Sequence, residues 1–343
     1  MPPVVLGFGW CHSGIQEGCI YQRPPYQALM ASRCGAAQRV LRLASHDGSI
    51  ARIPLLVRSL KGGGAEAFSA YGYGGLCGDP CCIADVDLHN LKMFLAKEGI
   101  CCLFLRHAPF LGNHEFWPDS VLEVNRRTYE VCLSHGAGFD ALLSSLPQKL
   151  RASVNRATRS GLTVEAADLF SWDHRLEAFH RLYEARMCAL DSEPFYRFDL
   201  PFLQSHRKLL GGACRLLVVR CAATDSVVAG ALFLIDEEAR HVHYYLSAAN
   251  EYALRCQGME LLMIAAIHDF GMEGFSILHL GGGHRLDETD GLSRFKRKFA
   301  SKRLEYCVSR IICDQGTYDY YRELLPLRYP SLFLIADARG ETS

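Results

Sequence analysis

The sequence has no excess of either charge and no long hydrophobic run. Lysine plus arginine and aspartate plus glutamate number 37 each, so the net charge is zero. A zero net charge gives no support for a dedicated nucleic-acid-binding surface. The longest apolar stretches, such as Ile100 to Leu105, are too short or too polar to cross a bilayer. The first seven residues also lack the basic start of a signal peptide. We therefore expect a cytoplasmic protein without a membrane span.

Paired metal-binding cysteines are missing as well, although the chain has 15 cysteines. Zinc sites usually take their ligands from CxxC-like pairs, whereas the densest group here consists of Cys77, Cys81, Cys82, Cys101 and Cys102. Neighbouring residues in a strand point to opposite faces, so Cys101 and Cys102 are poorly placed to bind one metal ion together. We interpret these cysteines as reduced core residues and expect no structural metal.

The length and the hydrophobic pattern predict a mixed α/β protein of two domains. The chain has 343 residues, of which 49% are hydrophobic and 22% charged, as in globular proteins. In the first half, Asp87 to Gly99 is predicted to form an amphipathic helix that leads into a strand at Ile100 to Arg106. After a seam near residues 138 to 147, the second half is predicted to run β-α-α-β-β-β-α-β, with helices on the faces of a mixed sheet.

One segment of the second half, His243 to Phe299, contains both a turn suited to phosphate binding, Arg255 to Glu260, and a candidate catalytic cation. His243 to Ala248 alternates like a half-buried strand, and a helix and a second strand follow it. Gly281 to Gly283 would let the backbone approach a neighbour closely. The segment ends in Phe295-Lys296-Arg297-Lys298-Phe299.

Lys296 is the candidate catalytic cation. Transfer of an acyl group to an amine needs an oriented carbonyl and positive charge or N–H donors where the oxyanion forms. Phe295 and Phe299 would anchor the lysine segment and partly desolvate it, which strengthens the effect of the charge. The alternative is a solvated basic run, because Arg294 and Arg297 crowd the same segment.

Other polar residues of this segment have weaker claims to a catalytic role. Tyr244 and Tyr245 occupy opposite faces of one strand, so only one of them can line a cleft; Tyr245 is our candidate, and the alternative is that both pack in the interior. We interpret His243 and His279 as core or edge histidines, with a catalytic histidine as the alternative. The acidic residues after the glycines, namely Asp287, Glu288 and Asp290, are interpreted as a solvated loop; the alternative is that they hold the acceptor ammonium or take its proton.

Four segments together resemble a known family. They are Tyr71 to Gly75 with the sequence Tyr-Gly-Tyr-Gly-Gly, the Arg-x-x-Pro strand end of Leu103 to Pro109, the basic helix of Lys149 to Ala157, and the C-terminal core described above. In this order and spacing they resemble the FemAB-type peptidoglycan-bridge aminoacyltransferases and the Gcn5-related N-acetyltransferase (GNAT) superfamily. The resemblance extends from about residue 20 to about residue 320.

The resemblance implies two tandem GNAT-like acyl-CoA N-acyltransferase domains around a shared cleft. Residues 1–145 would form the first domain, completed by about residues 320–343, and residues 146–319 would form the catalytic domain. It also implies that the acyl carbonyl reacts beside Phe295 and Lys296. Substrate-binding residues would be Tyr71, Tyr73, Arg106, His107 and Arg156. Alternatives stay open: Arg106 and His107 form a surface pair, and Arg156 only solvates its helix.

The chain departs from the family pattern in two places. It has no charged helical hairpin of the kind found in relatives that grip tRNA. Its phosphate turn is Arg255-x-x-Gly258-x-Glu260, with a carboxylate in the last position. Arg255 and Gly258 are the candidates for binding the donor's phosphates, but Glu260 would repel them.

These inferences favour a cytoplasmic N-acyltransferase. We expect acyl-CoA as co-substrate, no permanently bound cofactor, and a small phosphate-bearing acceptor whose amine belongs to a sugar nucleotide, a cell-wall precursor or a polysaccharide precursor. The missing hairpin and zero net charge make aminoacyl-tRNA the less favoured donor. A non-catalytic ligand-binding relative is the other alternative.

Overall fold

The computed structural model describes residues 5–11, 18–45, 50–78, 87–136 and 138–324. The chain groups into two compact units, Met1–Arg126 with Leu304–Ser343 and Arg127–Arg303. Both units combine helices with a mixed sheet, which confirms the predicted α/β class. The predicted boundary between residues 145 and 146 and the shared cleft stay predictions, and most of the segment expected to complete the first domain, residues 325–343, lies outside the described residues.

Strands and helices alternate along most of the described chain. The strands are β1 (Val5–Cys11), β2 (Ala37–Ser45), β3 (Ile50–Ser59), β4 (Ala65–Phe68), β5 (Ile100–Arg106), β6 (Leu122–Cys132), β7 (Leu162–Ala166), β8 (Cys214–Cys221), β9 (Ser226–Asp236), β10 (His241–Ala249), β11 (Ile277–Gly282) and β12 (Lys302–Ile312). The helices are α1 (Pro24–Cys34), α2 (Leu88–Lys97), α3 (Phe139–Ser145), α4 (Gln148–Arg159), α5 (Trp172–Ala189), α6 (Leu200–Leu210), α7 (Glu251–Arg255), α8 (Gly258–Met272), α9 (Gly291–Arg297) and α10 (Gln315–Leu324).

The first unit is built on strands in the order β1-β2-β3-β4-β5-β12. These neighbours are antiparallel except for the parallel pair β4 and β5. Asp87 begins α2 by accepting hydrogen bonds from the backbone N–H groups of His89 and Asn90. Every residue of β5 is buried. The helix and strand predicted from Asp87 to Arg106 are therefore confirmed.

The second unit has strands in the order β6-β11-β10-β9-β8-β7, and only β10 and β11 are parallel. The helix α8 packs on one face, against Ala229, Ala231 and Phe233 of β9. The helix α5 contacts β9 from the opposite face, where Gly230 lies close to Phe179. The order of elements predicted for the second half is confirmed.

Three further points concern the last strand, the cysteines and the length of the helices. The sequence patterns did not predict β12, because Lys302 and Arg303 extend the basic run that precedes the strand. Cys101 and Cys102 are buried free cysteines, as predicted, whereas Cys81 and Cys82 lie outside the described residues. Within the described ranges, no helix is long and apolar enough to span a membrane.

Gly230 tests the packing of α5 on the sheet. In Gly230→Ala the new methyl group would lie 2.9 Å from Cδ2 of Phe179 and 3.2 Å from the carbonyl oxygen of Leu217. We expect the free energy of unfolding in urea to fall by about 1–3 kcal/mol. Gly212→Ala is the control, because nothing lies within 4 Å of its methyl group. Equal stability of the two variants would contradict the packing described here.

Candidate active site

The parallel strands β10 and β11 separate after three paired positions. Their registered pairs end at His243 and His279, although β10 continues to Ala249 and β11 to Gly282. Each strand is bulged at this point, since Tyr245 is an extra residue against β9 and Leu280 is an extra residue against β6. Beyond the last pair the facing edges of β10 and β11 no longer pair with each other, and we call this stretch the strand slot. Strand edges can bind an extended ligand through its amide groups.

In the first unit, the corresponding parallel pair is continued by the protein's own loop. After β4, the backbone N–H of Ser69 donates to the Phe104 carbonyl at 2.9 Å. The N–H of Gly74 then donates to the Arg106 carbonyl at 2.6 Å, and the Gly74 carbonyl accepts from Ala108 at 3.2 Å. The loop of Tyr71 to Gly75 therefore occupies the edge of β5. Two motifs that the sequence singled out, the tyrosine–glycine loop and the Arg-x-x-Pro strand end, meet here.

The tyrosines of this loop belong to the interior of the first unit. A side chain at Gly72 would overlap the ring of Tyr21, so this position requires glycine. Tyr73 packs edge-on against Tyr21 and Tyr306, with centroids 5.3 and 5.4 Å away. Tyr71 is half-buried and its carbonyl accepts a hydrogen bond from the Tyr26 hydroxyl at 2.7 Å. Their predicted substrate role stays a prediction.

Arg106 and His107 are also internal rather than a surface pair. The Arg106 guanidinium donates to the Ser69 carbonyl at 2.8 Å and lies 4.5 Å from the centroid of the Phe104 ring. Nε2 of His107 lies 2.8 Å from the Ser309 hydroxyl. Burial lowers the pKa of His107 to about 3. These contacts fix the loop against the strand end, and a role in substrate binding stays a prediction.

Lys296 differs from the basic residues around it in being buried, because of its position on α9. Its side chain is 6% exposed, whereas Arg294 and Arg297 are exposed on the same helix. Its Nζ donates to the Gly282 carbonyl at 2.7 Å and lies 5.8 Å from the centroid of the Tyr244 ring. The lysine thus lies at the end of β11, beside the strand slot.

Phe295 supports the same helix from the hydrophobic core. Its ring lies 5.1 Å from that of Phe299, edge to face, and packs against the core of the second unit. The anchoring expected of the two phenylalanines therefore agrees with their placement, while the catalytic role of Phe295 stays a prediction.

The three glycines bring the backbone close to α9 itself. A side chain at Gly283 would overlap Oγ of Ser293 and lie 2.7 Å from Oδ2 of Asp290. Asp290 begins the helix by accepting from the backbone N–H groups of Leu292 and Ser293. Gly281 has a φ of +68°, in the left-handed region. The glycine run is thus explained by the seating of α9 and Lys296.

The acidic loop before α9 is only partly solvated. Asp287 is exposed and accepts hydrogen bonds from Thr289. Glu288, in contrast, is buried, adopts a φ of +57°, and binds the Tyr129 hydroxyl and the Arg303 guanidinium. A left-handed conformation at a residue other than glycine is strained and persists only where contacts hold it. Glu288 therefore fixes the loop that leads to α9.

The two adjacent tyrosines of β10 have different surroundings. Tyr244 faces the core, next to Phe233 and Lys296, and burial raises its pKa. Tyr245, at the bulge, places its hydroxyl 3.3 Å from Nε2 of His206 on α6. The structure thus brings Tyr244 rather than Tyr245 next to the lysine. No periodic pattern links His206 to Tyr245, because they lie 39 positions apart on different elements.

The start of α8 combines a tightly packed glycine with a neutralised carboxylate. A side chain at Gly258 would lie 3.2 Å from Leu162 and 3.3 Å from Ala253. Glu260 is buried and forms an ion pair with Lys298, whose Nζ is 2.6 Å from Oε1. The repulsion expected from Glu260 is thus offset by a cation that the sequence did not single out for this turn.

The predicted phosphate-binding arginines lie on the surface near this turn. Arg255 is 70% exposed at the side chain and has Glu251 at 4.0 Å. Arg156 is exposed on α4. The helix α4 is joined to the residue before α8, because the Ser153 hydroxyl donates to the Gln257 side chain at 3.3 Å. The phosphate-binding roles stay predictions.

Three histidines form a row on β10 and β11, and two of them, His243 and His279, are buried. The rings of His241 and His243 are 6.5 Å apart, and those of His243 and His279 are 5.6 Å apart. Burial, followed by the charge of His241, lowers the pKa of His243 to about 3. Burial, His243 and Lys296 together lower that of His279. Both are neutral core residues at pH 7, as interpreted. Over the residues that the structure covers, no cluster of three His, Cys, Asp or Glu side chains is placed to hold a metal ion.

Comparison with known proteins agrees with this architecture. Residues 144–297 match the family model described as "Acetyltransferase (GNAT) domain". No curated protein matches the chain significantly.

Solved structures resemble most of the chain at low sequence identity. The structure described as "Crystal structure of FemX" has a TM-score of 0.63 and 14% identity, over 89% of this chain and 95% of its own. The C-terminal domain of a putative lysylphosphatidylglycerol synthetase from Agrobacterium fabrum has a TM-score of 0.52 and 17% identity, over 85% and 88%. The predicted resemblance is confirmed at the level of the domain and the fold.

Gly283 tests whether the glycine run seats α9. Gly283→Ala would push the first turn of α9 away from β11, because the methyl group overlaps Ser293. We expect a loss of about 1–3 kcal/mol in the free energy of unfolding, measured in urea. Gly291→Ala in the same helix is the control, since nothing lies within 4 Å of that methyl group. A full-stability Gly283→Ala variant would show that the close contact is absent.

The buried histidines make the second unit sensitive to acid. An unfolded histidine has a pKa of about 6.5, above the folded value of about 3 for His243. The unfolded state therefore binds the proton first, and stability is lost as the pH falls from about 6.5 towards 3. His243→Gln should reduce the dependence of the unfolding free energy on pH by up to about 1.4 kcal/mol per pH unit. Urea denaturation between pH 4 and pH 7 measures it, with exposed His174→Gln as control; an unchanged slope would refute the assignment.

Proposed function

We propose that this GNAT-type acyltransferase transfers an acyl group from acyl-CoA to the amine of a phosphate-bearing small molecule. A sugar nucleotide, a cell-wall precursor or a polysaccharide precursor is the proposed acceptor. The observation that supports the donor most strongly is the separation of β10 and β11 after His243 and His279. A slot of this kind suits an extended arm that carries amide groups.

The strand slot fits the chemistry of the coenzyme A arm. The pantetheine arm carries two amides, which can bond to the facing edges of β10 and β11 as an added strand does. The chain leaves the open end of β10 through α7 and enters α8 at Gly258. The first N–H groups and the dipole of α8 favour a pyrophosphate there. The Lys298 ion pair offsets the charge of Glu260.

Lys296 supplies positive charge close to the expected position of the acyl carbonyl. In the proposed step, the amine nitrogen attacks the thioester carbon and a C–N bond forms. The carbonyl oxygen carries the negative charge until the C–S bond breaks. The thiolate of coenzyme A leaves, and it takes up the proton that the amine releases. An ammonium in a partly desolvated place stabilises the oxyanion more than the same charge in water.

A second candidate is transfer of an aminoacyl group from tRNA. The likeness to FemX, a FemAB-type enzyme, favours it. The exposed basic face of α4, with Arg156 and Arg159, favours it as well. This helix lies next to the start of α8, because its Ser153 bonds to Gln257, the residue before α8. Phosphates of an RNA could bind there. An aminoacyl-tRNA has no pantetheine arm to occupy the strand slot, so we place this function second.

The proposed donor and lysine can be tested together. At 100 times its dissociation constant, coenzyme A should stabilise the protein by about 2.7 kcal/mol in a thermal-shift measurement. Lys296→Met should lower kcat on the order of 10²- to 10³-fold, because an oxyanion-stabilising charge is removed. Thiol release from acetyl-CoA, with a panel of amino-sugar nucleotides as acceptors, measures kcat. Stabilisation by coenzyme A should persist in this variant.

Arg294→Met is the matched control, because Arg294 lies exposed on the same helix. Equal losses in the two variants would mean that the basic run acts only as a solvated surface. No stabilisation by coenzyme A or acetyl-CoA would refute the thioester donor. Transfer from charged tRNA without any thioester activity would establish the second candidate instead.

A further inference from the structure

His206 is a buried histidine whose ring is held in one orientation. It lies on α6, has no exposed surface, and packs edge-on against Phe202 with centroids 4.8 Å apart. Its Nδ1 lies 3.0 Å from the Phe202 carbonyl oxygen. Its Nε2 lies 3.3 Å from the hydroxyl of Tyr245. The imidazole therefore connects the backbone of α6 to the bulge residue of β10.

These two contacts determine which nitrogen carries the proton. A carbonyl oxygen only accepts hydrogen bonds, so Nδ1 must be the protonated nitrogen. Burial lowers the pKa of His206 to about 4, although the bond to Phe202 acts to raise it. The ring is thus neutral at pH 7, and its Nε2 is an acceptor. In this tautomer, the 3.3 Å contact is a hydrogen bond in which the Tyr245 hydroxyl donates and Nε2 accepts.

We propose that His206 is a positioning residue that directs the Tyr245 hydroxyl proton away from the substrate, so that the phenol oxygen accepts a hydrogen bond from the acceptor amine. The inference rests on the proposed acyl transfer. It specifies which group donates and which accepts in one hydrogen bond to the substrate. A tyrosine whose proton is committed elsewhere offers only lone pairs to a ligand. The group bound there must be a hydrogen-bond donor, as an amine is.

The place of Tyr245 in the fold is consistent with this role. It is the extra residue of the β10 bulge, at the point where the strand slot begins. A bulge redirects a side chain relative to a regular strand. His206 itself is fully buried, so it acts through Tyr245 rather than by touching the substrate. A neutral imidazole also places no positive charge that would repel an ammonium.

The protonation pattern is measured first, by nitrogen NMR of the full chain with ¹⁵N-labelled histidine at pH 7. The His206 signals are identified by their loss in His206→Asn. We expect a protonated Nδ1 and an unprotonated Nε2, whose resonance moves downfield in Tyr245→Phe. A protonated Nε2, or an Nε2 resonance that ignores Tyr245→Phe, would overturn the inference. This measurement does not depend on any substrate.

Kinetics then tests the effect on transfer, with acetyl-CoA and the best amine of the panel. His206→Asn keeps a donor near the Phe202 carbonyl but removes the acceptor, and should lower kcat about 10- to 100-fold through misplacement of Tyr245. The KM for acetyl-CoA should stay unchanged. His206→Gln, whose longer side chain offers an acceptor to Tyr245, should recover part of the loss. In a Tyr245→Phe background, His206→Asn should cost nothing further.

The outcomes separate this inference from the proposed function. If the unmodified protein transfers no acyl group from acetyl-CoA, the proposed function fails, and the NMR result still decides the state of His206. If transfer occurs but His206→Asn retains full kcat, the positioning role is refuted. Equal losses in the Asn and Gln variants, or independent losses in the double variant, would show that His206 only packs. Exposed His174→Asn serves as the control for histidine replacement.

Discussion

The site depends on one constraint, which is that the parallel pairing of β10 and β11 ends at His243 and His279. Parallel strands buried in a sheet normally satisfy each other's backbone groups along their shared length. Here each strand has a bulge where this pairing ends, and both strands stay paired to their outer neighbours β9 and β6 beyond it. The strand slot is therefore bounded by paired strands rather than by a frayed end. The roles proposed for Lys296 and Tyr245 depend on their positions beside it.

The first unit shows what the same arrangement looks like when the chain itself fills the edge. Its parallel pair, β4 and β5, is continued by the loop of Tyr71 to Gly75 through backbone hydrogen bonds at Ser69 and Gly74. Gly72 is required by the contact with Tyr21, and Tyr73 packs in the interior. A motif that resembles a family signature thus has a sufficient structural reason within this unit. The chain itself pairs with this edge in the first unit but not in the second. This difference supports a single donor site, in the second unit.

The sequence predicted the elements whose hydrophobic pattern is strong, whereas Lys296 is favoured over a solvated basic run only with the family resemblance, and its role stays a prediction. It could not show that Gly283 is crowded by Ser293, because the two residues are ten positions apart and meet only when α9 turns back on β11. For the same reason it assigned Glu288 to a solvated loop, although Tyr129 and Arg303 bury its carboxylate. His206 and Tyr245 are 39 positions apart on different elements. Local patterns carry no information on such pairs.

The short helix α9 connects the two halves of the site. At its start, Asp290 and Ser293 fit against Gly283, which places Lys296 at the end of β11. Directly after its end, Lys298 pairs with Glu260 in the first turn of α8. An isolated exposed ion pair contributes little to stability, but the Glu260 carboxylate is buried, so loss of Lys298 would leave an uncompensated charge. The carboxylate that departs from the family's phosphate turn is thus bound to the helix that carries the catalytic candidate. A shift of α9 would move Lys296 and leave the Glu260 carboxylate uncompensated, so the position of the lysine is coupled to the charge of the α8 turn.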